Sequence, residues 1–168
     1  NIKGYKHHWI WLKECGTGFQ VAKYRPMMET EDIITFTKNG FKANYYPIME
    51  KRDKPIKYKG AKSSNGTNPL ANFNDITFES SEKFPTNVLY YKRPYKYLHP
   101  TQKPLELMEY LIKTYTKEND LILDFTSGSG TLALACERLN RKWVCIELEK
   151  KYCDITVERL SCIQQKLF

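Results

Sequence analysis

The sequence predicts an α/β fold, and three neighbouring features in its last third support that prediction. Residues 121–123 form an apolar run of the length of a short buried strand. A turn containing Gly128 and Gly130 follows, and residues 131–139 then have the composition of a helix. A second strand is predicted for residues 142–147. Strands that alternate with helices in this way are typical of α/β proteins.

The glycine turn predicts a nucleoside-binding loop. Gly128 and Gly130 let the backbone approach a ligand, and the first N–H groups of the following helix would face the bound molecule. Glu147, at the end of the second strand, is a carboxylate suited to ribose hydroxyls. Residues 128–133 also satisfy the dinucleotide pattern, but a dinucleotide fold needs two mononucleotide-binding halves and too few residues follow. A glycine turn without a ligand is the remaining alternative.

Two motifs in this region resemble those of a known enzyme family. His-Pro-Thr-Gln-Lys-Pro at residues 99–104 precedes Asp-x-x-x-Gly-Ser-Gly-Thr at residues 124–131. Together they resemble the amino-group DNA methyltransferases, in the class whose cofactor motifs lie C-terminal to the target-recognition region. Shorter matches extend the resemblance over most of the chain, at residues 8–13, 17–19, 31–36, 84–89 and 145–147, with Tyr152 downstream. The resemblance implies part of a Rossmann-like S-adenosylmethionine-dependent methyltransferase fold, with antiparallel edge strands and a loop-rich insert.

The resemblance also implies a cofactor and a set of residues that bind it. The implied cofactor is S-adenosylmethionine, and the implied binding residues are Thr101, Lys103, Asp124, Phe125, Thr126, Ser127, Gly128, Ser129, Gly130, Thr131 and Glu147. Thr101 and Lys103 are expected near the methionine carboxylate, where an ammonium group can form a charge-assisted hydrogen bond. The family usually has Asp-Pro-Phe where this chain has Asp124, Phe125 and Thr126, so the methionine pocket departs from the common sequence.

The family's catalytic tetrapeptide, Asp/Asn/Ser-Pro-Pro-Tyr/Phe, does not occur in the 168 residues. In this class the tetrapeptide lies upstream of the region where this chain begins, and Asn1 is not an initiator Met. We therefore expect a fragment that begins after the catalytic motif, with no catalytic residue of its own and no activity alone. The histidines His7, His8 and His99 and the five cysteines show no metal-ligand spacing, so no metal site is predicted.

Length and composition limit the classes of protein to which the chain can belong. A chain of 168 residues with 41% hydrophobic residues is long enough for one structural domain with a packed core. It has no apolar run long enough for a membrane span and no signal peptide, so no membrane partner is expected. Five cysteines, an odd number, argue against a disulfide framework, and a reducing cytoplasm fits best.

The positive charge is unevenly distributed. Residues 1–98 contain 17 Lys and Arg against 9 Asp and Glu, whereas residues 99–168 contain 10 of each. We therefore expect edge strands and a basic target-recognition region for double-stranded DNA before residue 99, and the cofactor half after it. The candidates for phosphate contacts are Lys51, Arg52, Lys54, Lys57, Lys59 and Lys62. The alternative is a solvated basic loop without a partner.

The remaining elements are predicted from residue patterns. Residues 9–12 and 33–36 are expected to form an antiparallel pair at the sheet edge. Residues 38–83 are either a loop-rich recognition insert or partly disordered. Helices are predicted after Pro104 and from about Lys151. The tyrosines and basic residues of segment 90–97 either line a nucleic-acid groove or form an edge strand with tyrosines packed inward.

These features favour part of a site-specific DNA methyltransferase, which would transfer a methyl group to N6 of adenine or N4 of cytosine. The target base of such an enzyme must leave the stack. Two other functions stay open. One is a non-catalytic DNA-binding subunit that needs a partner chain, or the missing upstream segment, for activity. The other is a small-molecule methyltransferase, which the basic first half disfavours.

Overall fold

The structure is a computed structural model that describes residues 3–38, 41–59 and 77–164. The chain divides into two compact units, Asn1–Tyr46 with Thr86–Phe168, and Pro47–Pro85. The strands and helices are, in chain order, β1 (Tyr5–Thr17), β2 (Met28–Phe36), β3 (Glu50–Lys59), β4 (Thr77–Lys83), β5 (Val88–Tyr90), α1 (Leu105–Tyr115), β6 (Leu121–Asp124), α2 (Thr131–Arg138), β7 (Lys142–Cys145) and α3 (Lys150–Gln164). A functional boundary at residue 99 stays a prediction.

The first unit contains a three-stranded sheet in the order β2-β1-β5. β1 and β2 are antiparallel, with Trp9 opposite Ile33, which confirms the predicted antiparallel pairing. β2 is an edge strand as predicted, whereas β1 is the central strand because β5 pairs with its other side. β5 lies parallel to β1, with Trp11 opposite Leu89. Trp9, Trp11 and Leu89 are buried together with Leu107 of α1 and form one hydrophobic core. The large aromatic side chains of β1 therefore pack α1 against this sheet.

The same unit contains the predicted strand, glycine turn, helix and strand. β6 and β7 pair in parallel, with Ile122 opposite Trp143, and α2 connects them. The side chains on one face of this sheet pack with α1 and α2 in a second core around Ile112, Leu132 and Cys136. Burial raises the pKa of the Cys136 thiol to about 12, so this cysteine is a neutral core residue. This arrangement confirms the α/β fold class.

The other face of the β6–β7 sheet is exposed. Leu121 and Leu123 of β6 are 67% and 58% exposed, and Val144 and Ile146 at β7 are 45% and 54% exposed. Parallel sheets in α/β proteins are normally covered on both faces. Within the residues that the structure describes, this alternating apolar set lacks such a cover.

The second unit contains two strands, β3 and β4, in the segment 38–83 that was predicted to be either a loop-rich insert or partly disordered. β3 and β4 form an antiparallel pair with Lys57 opposite Glu79 and Lys51 opposite Glu82. The register shifts between Lys51 and Ile56, beside Pro55, which has no N–H to donate to a ladder. Residues 51–57 are exposed apart from one half-buried position, so no apolar alternation marked β3 in the sequence.

No helix in the described ranges is long and apolar enough to cross a membrane. The five cysteines are free thiols. Across the described ranges, no group of three or more His, Cys, Asp and Glu side chains has a geometry that could hold a metal ion.

Candidate cofactor site

The glycine turn after β6 is closed by its own hydrogen bonds. Asp124 Oδ1 accepts the N–H of Thr126 at 3.0 Å, and Ser127 N–H donates to the carbonyl of Ile146 at 3.1 Å. Gly128 and Gly130 have φ angles of +52° and +71°, which other residues rarely adopt. The Asp124 side chain therefore shapes the turn, and the turn is attached to the end of β7.

Both glycines of the turn have close neighbours within the protein. A Cβ atom on Gly130 would lie 2.3 Å from Cγ2 of Thr156 in α3, and one on Gly128 would lie 3.1 Å from the His99 ring. From the sequence, both glycines were expected to let a ligand approach the backbone. The structure relates Gly130 to the packing of α3 and Gly128 to the position of His99.

Glu147 joins the glycine turn to the segment after β7. Its Oε2 accepts the N–H of Gly128 at 2.7 Å, and its Oε1 accepts the N–H of Glu149 at 3.0 Å. These bonds, the one from Glu149 foremost, lower the pKa of the Glu147 carboxyl below its usual range. Each carboxylate oxygen has two lone pairs, so both oxygens keep acceptor capacity for hydroxyl groups of a ligand.

The hexapeptide at residues 99–104 packs directly on the glycine turn. The His99 ring contacts the Tyr152 ring edge-on at 4.3 Å, and its Nδ1 accepts the N–H of Thr101 at 3.2 Å. Gln102 Oε1 accepts the N–H of Leu98 at 2.9 Å and the hydroxyl of Ser129 at 3.4 Å. The hexapeptide and the glycine turn, which are separate motifs in the sequence, therefore lie together in one site.

Lys103 has a carboxylate partner within the chain. Its Nζ lies 3.1 Å from Oε2 of Glu31 and donates to the carbonyl of Thr101 at 3.2 Å. Lys13, with a side chain only 3% exposed, lies 3.4 Å from the other oxygen of Glu31. Two ammonium groups thus share one carboxylate, which leaves a local excess of positive charge for an incoming anion.

These segments surround a cleft with a volume of about 80 Å³. Eight of the eleven predicted cofactor residues line it, namely Thr101, Lys103, Asp124, Thr126, Ser127, Gly128, Ser129 and Thr131. The other three predicted residues, Phe125, Gly130 and Glu147, do not. Four lining residues were not predicted: His99, Gln102, Met108 and Leu132. His99 and Gln102 lie inside the hexapeptide, so the motif itself could have identified them as site residues. Met108 and Leu132 have the helical spacing of ordinary core residues, so no sequence signal marked them as part of a site.

The cleft is smaller than the pockets of about 300–1,000 Å³ that enclose most small ligands. It can therefore enclose only part of a nucleoside. Phe125 and Leu148, which follow the ends of β6 and β7, are 72% and 94% exposed. These apolar side chains at the strand ends are available to contact the rest of such a ligand.

The predicted phosphate-binding residues belong to the second unit. Lys51, Lys54 and Lys57 of β3 are exposed, and Arg52 Nε donates to the carbonyl of Glu82 at 3.0 Å. Lys57 Nζ lies 4.0 Å from Glu79. The side chain of Lys59 and the whole of Lys62 lie outside the described residues. The pairing of β3 with β4 thus places carboxylates beside part of this basic set.

Two parallel strands connected through a glycine turn and a helix, with the Glu147 carboxylate after the second strand, define the chain as an α/β protein with the predicted strand–turn–helix–strand arrangement. The chain belongs to the DNA methylase family, because the family model described as DNA methylase (N6_N4_Mtase) matches residues 1–158. This match confirms the resemblance to the amino-group DNA methyltransferases.

Individual relatives agree with this membership. The chain is 32% identical over 161 residues to the type II methyltransferase M.HpaI of Haemophilus parainfluenzae. The aligned region covers 94% of this chain and 46% of that protein. It is 49% identical over 63 residues to M2.LlaDCHI of Lactococcus lactis subsp. cremoris, covering 38% of this chain and 23% of that protein. The chain thus spans less than half the length of these two relatives.

Solved structures show the same similarity. The M1.HpyAVI–SAM complex has a TM-score of 0.59 and 28% identity, with 92% of this chain and 61% of that chain covered. The cytosine-N4-specific PvuII DNA methyltransferase has a TM-score of 0.60, and the superposition covers 91% of this chain and 50% of that chain. At 19% identity the second likeness concerns the fold alone.

Proposed function

We propose that this chain is the S-adenosylmethionine-binding part of a site-specific DNA methyltransferase. The proposed reaction transfers a methyl group to the exocyclic amine of adenine (N6) or cytosine (N4) in double-stranded DNA. One observation carries the proposal: the hexapeptide and the glycine turn, the two motifs of the family resemblance, pack together around one cleft, His99 beside Gly128 and Gln102 bonded to Ser129. The similar M1.HpyAVI protein was solved with S-adenosylmethionine bound.

The residues of the site fit such a cofactor. Glu147 would accept the ribose hydroxyls, since its oxygens keep free lone pairs. Lys103 would bind the methionine carboxylate in competition with Glu31, and the buried ammonium of Lys13 would compensate Glu31 when Lys103 leaves it. The bound cofactor would supply a methyl group on a positively charged sulfur. The chain's own contribution is to bind and orient that molecule.

The open face of the β6–β7 sheet supports a further part of this proposal. Its alternating exposed residues call for a covering layer, and the chain corresponds to about half of the longer relative M.HpaI. We propose that a polypeptide covers this face and supplies the residues that hold the target amine, either as an upstream segment or as a partner chain.

With five free thiols, the reducing cytoplasm remains the proposed compartment.

Calorimetric titration with S-adenosylmethionine tests the cofactor assignment. We expect binding by the chain, and a loss of affinity of roughly tenfold or more in Glu147→Ala, because a charged hydrogen-bond acceptor is removed. Glu149→Ala is the matched control, since Glu149 takes part in this network through its backbone N–H alone. Binding of NAD without binding of S-adenosylmethionine would contradict the assignment.

We also propose that the 168-residue chain does not transfer methyl groups by itself, because it contains no Asp/Asn/Ser-Pro-Pro-Tyr/Phe tetrapeptide. The measurement is transfer of radiolabelled methyl groups to DNA of mixed sequence by the purified chain. The expected result is incorporation no higher than in the absence of protein. Clear turnover would show that residues within this chain hold the target amine.

A further inference from the structure

A second cavity lies beside the hexapeptide, with a volume of about 500 Å³. Its lining includes Tyr90, Arg93 and Tyr95 of the segment before the hexapeptide, together with Gln102 and Glu106. We call it the Tyr90–Tyr95 groove. Gln102 lines both this groove and the cofactor cleft, so the two sites are adjacent.

The groove presents aromatic rings on a fixed backbone. The Tyr91 carbonyl accepts the indole N–H of Trp11 at 2.8 Å, which ties the segment to a buried residue of β1. The Tyr91 ring itself packs against the first hydrophobic core. In contrast, Tyr90 is 57% exposed and Tyr95 is fully exposed. The segment is therefore anchored while two of its rings remain open to a ligand.

The charge of the groove is suited to an anion. Lys92 Nζ lies 2.8 Å from Glu14. The Arg93 guanidinium donates to Cys15 Sγ at 2.7 Å, and within the described residues it forms no ion pair with a carboxylate. Glu106 is the acidic residue among those that line the groove. Arg93 thus keeps a charge that can bind a phosphate through its planar N–H groups.

We propose that the Tyr90–Tyr95 groove binds DNA at unpaired nucleotides, with bases stacked on Tyr90 and Tyr95 and a phosphate on Arg93. A paired base inside a duplex has both faces covered by its neighbours, so exposed rings select nucleotides that have left the stack. An enzyme that acts on an exocyclic amine must extrude its target base. A volume of about 500 Å³ accommodates a ligand of nucleotide size. This inference rests on the proposed function, which makes DNA the substrate.

Fluorescence anisotropy with labelled oligonucleotides tests the proposal. The probes are a matched 20-base-pair duplex, the same duplex with three central mismatches, and the single strand. The wild-type chain is expected to bind the two probes that contain unpaired bases more tightly than the matched duplex. Tyr90→Ala with Tyr95→Ala is expected to remove this preference, with a loss of at least roughly fivefold for each ring. Tyr90→Phe with Tyr95→Phe keeps the rings and is expected to bind like the wild type.

Two further variants separate stacking from other effects. Tyr24→Ala removes another exposed tyrosine, 89% exposed, that does not line the groove, and it is expected to change nothing. Arg93→Gln is expected to weaken all three complexes and to lower their salt dependence. Circular dichroism and S-adenosylmethionine titration of each variant show whether the fold and the cofactor site persist.

The outcomes distinguish this inference from the function on which it rests. If the wild type prefers unpaired DNA and the double alanine variant shows the same preference, the groove assignment is wrong and the proposed function stands. If the wild type binds S-adenosylmethionine and none of the three oligonucleotides, both the groove and DNA as the partner of this chain are wrong. Equal binding of all three probes by the wild type would also overturn selection of unpaired bases.

Discussion

Replacement of Gly130 by valine is expected to destabilise the fold by about 2–5 kcal/mol, the sum of a left-handed backbone penalty and an overpacking penalty. Gly130 has a φ of +71°, which costs any L-residue energy and a β-branched residue most. Its Cβ would also lie 2.3 Å from Cγ2 of Thr156, a buried residue that cannot move aside freely. Because this contact joins the glycine turn to α3, the cofactor cleft should be lost together with stability.

Urea denaturation followed by circular dichroism measures this effect, and Gly18→Val is the matched control. Gly18 also has a positive φ, +91°, but a Cβ there would meet only Val21 at an ordinary 3.7 Å. The control therefore carries the backbone penalty without the clash. Thr156→Ala in the Gly130→Val background should restore part of the loss. Equal destabilisation at both glycines would mean that the packing against Thr156 contributes nothing.

The sequence predicted the β6-to-β7 region well because its signals are local. Residues 121–123 are a short apolar run, the glycines mark a turn with positive φ, and α2 begins at Thr131 directly after it. Each of these properties depends on residues near one another in the chain. Parts of β1 and β2, residues 9–12 and 33–36, were found for the same reason, because their β-branched and aromatic residues are a local signal.

Other features could not be read from the sequence because they depend on distant partners. The pairing of Lys103 with Glu31 joins residues of the hexapeptide and of β2, and no spacing rule connects them. β3 was missed because its charged residues show no apolar alternation, and its pairing with β4 depends on cross-strand contacts across the undescribed residues 60–76. The exposure of one face of β6 and β7 could not be predicted, because the apolar composition of these strands predicts burial on both faces.

The basic set on β3 gives the second large expected effect. Lys54→Ala with Lys57→Ala should weaken binding to matched duplex DNA of any sequence, because phosphate contacts carry no base information. If each lysine neutralises one phosphate, the plot of log affinity against log salt should flatten by about 1.8, which is roughly 60-fold in affinity at 0.1 M salt. Both side chains are exposed, so the fold should be retained.

A second double variant controls for overall charge. Lys113→Ala with Lys142→Ala removes the same charge from exposed positions in residues 99–168, where acidic and basic residues balance. It is expected to leave the salt dependence unchanged, since screening limits the reach of distant charges. An effect of equal size in both double variants would mean that net charge alone attracts DNA to this chain.

The ion pair on β3 allows a test in the opposite direction. Glu79 lies 4.0 Å from Lys57, and both side chains are largely exposed. If Lys57 binds a phosphate, Glu79 competes with that phosphate, and Glu79→Gln should tighten duplex binding most clearly at low salt. If Glu79→Gln and the lysine double variant both leave affinity unchanged, β3 is a solvated strand. The salt-dependent contacts would then be assigned to Arg93 and the Tyr90–Tyr95 groove. The variants of that groove test this assignment independently.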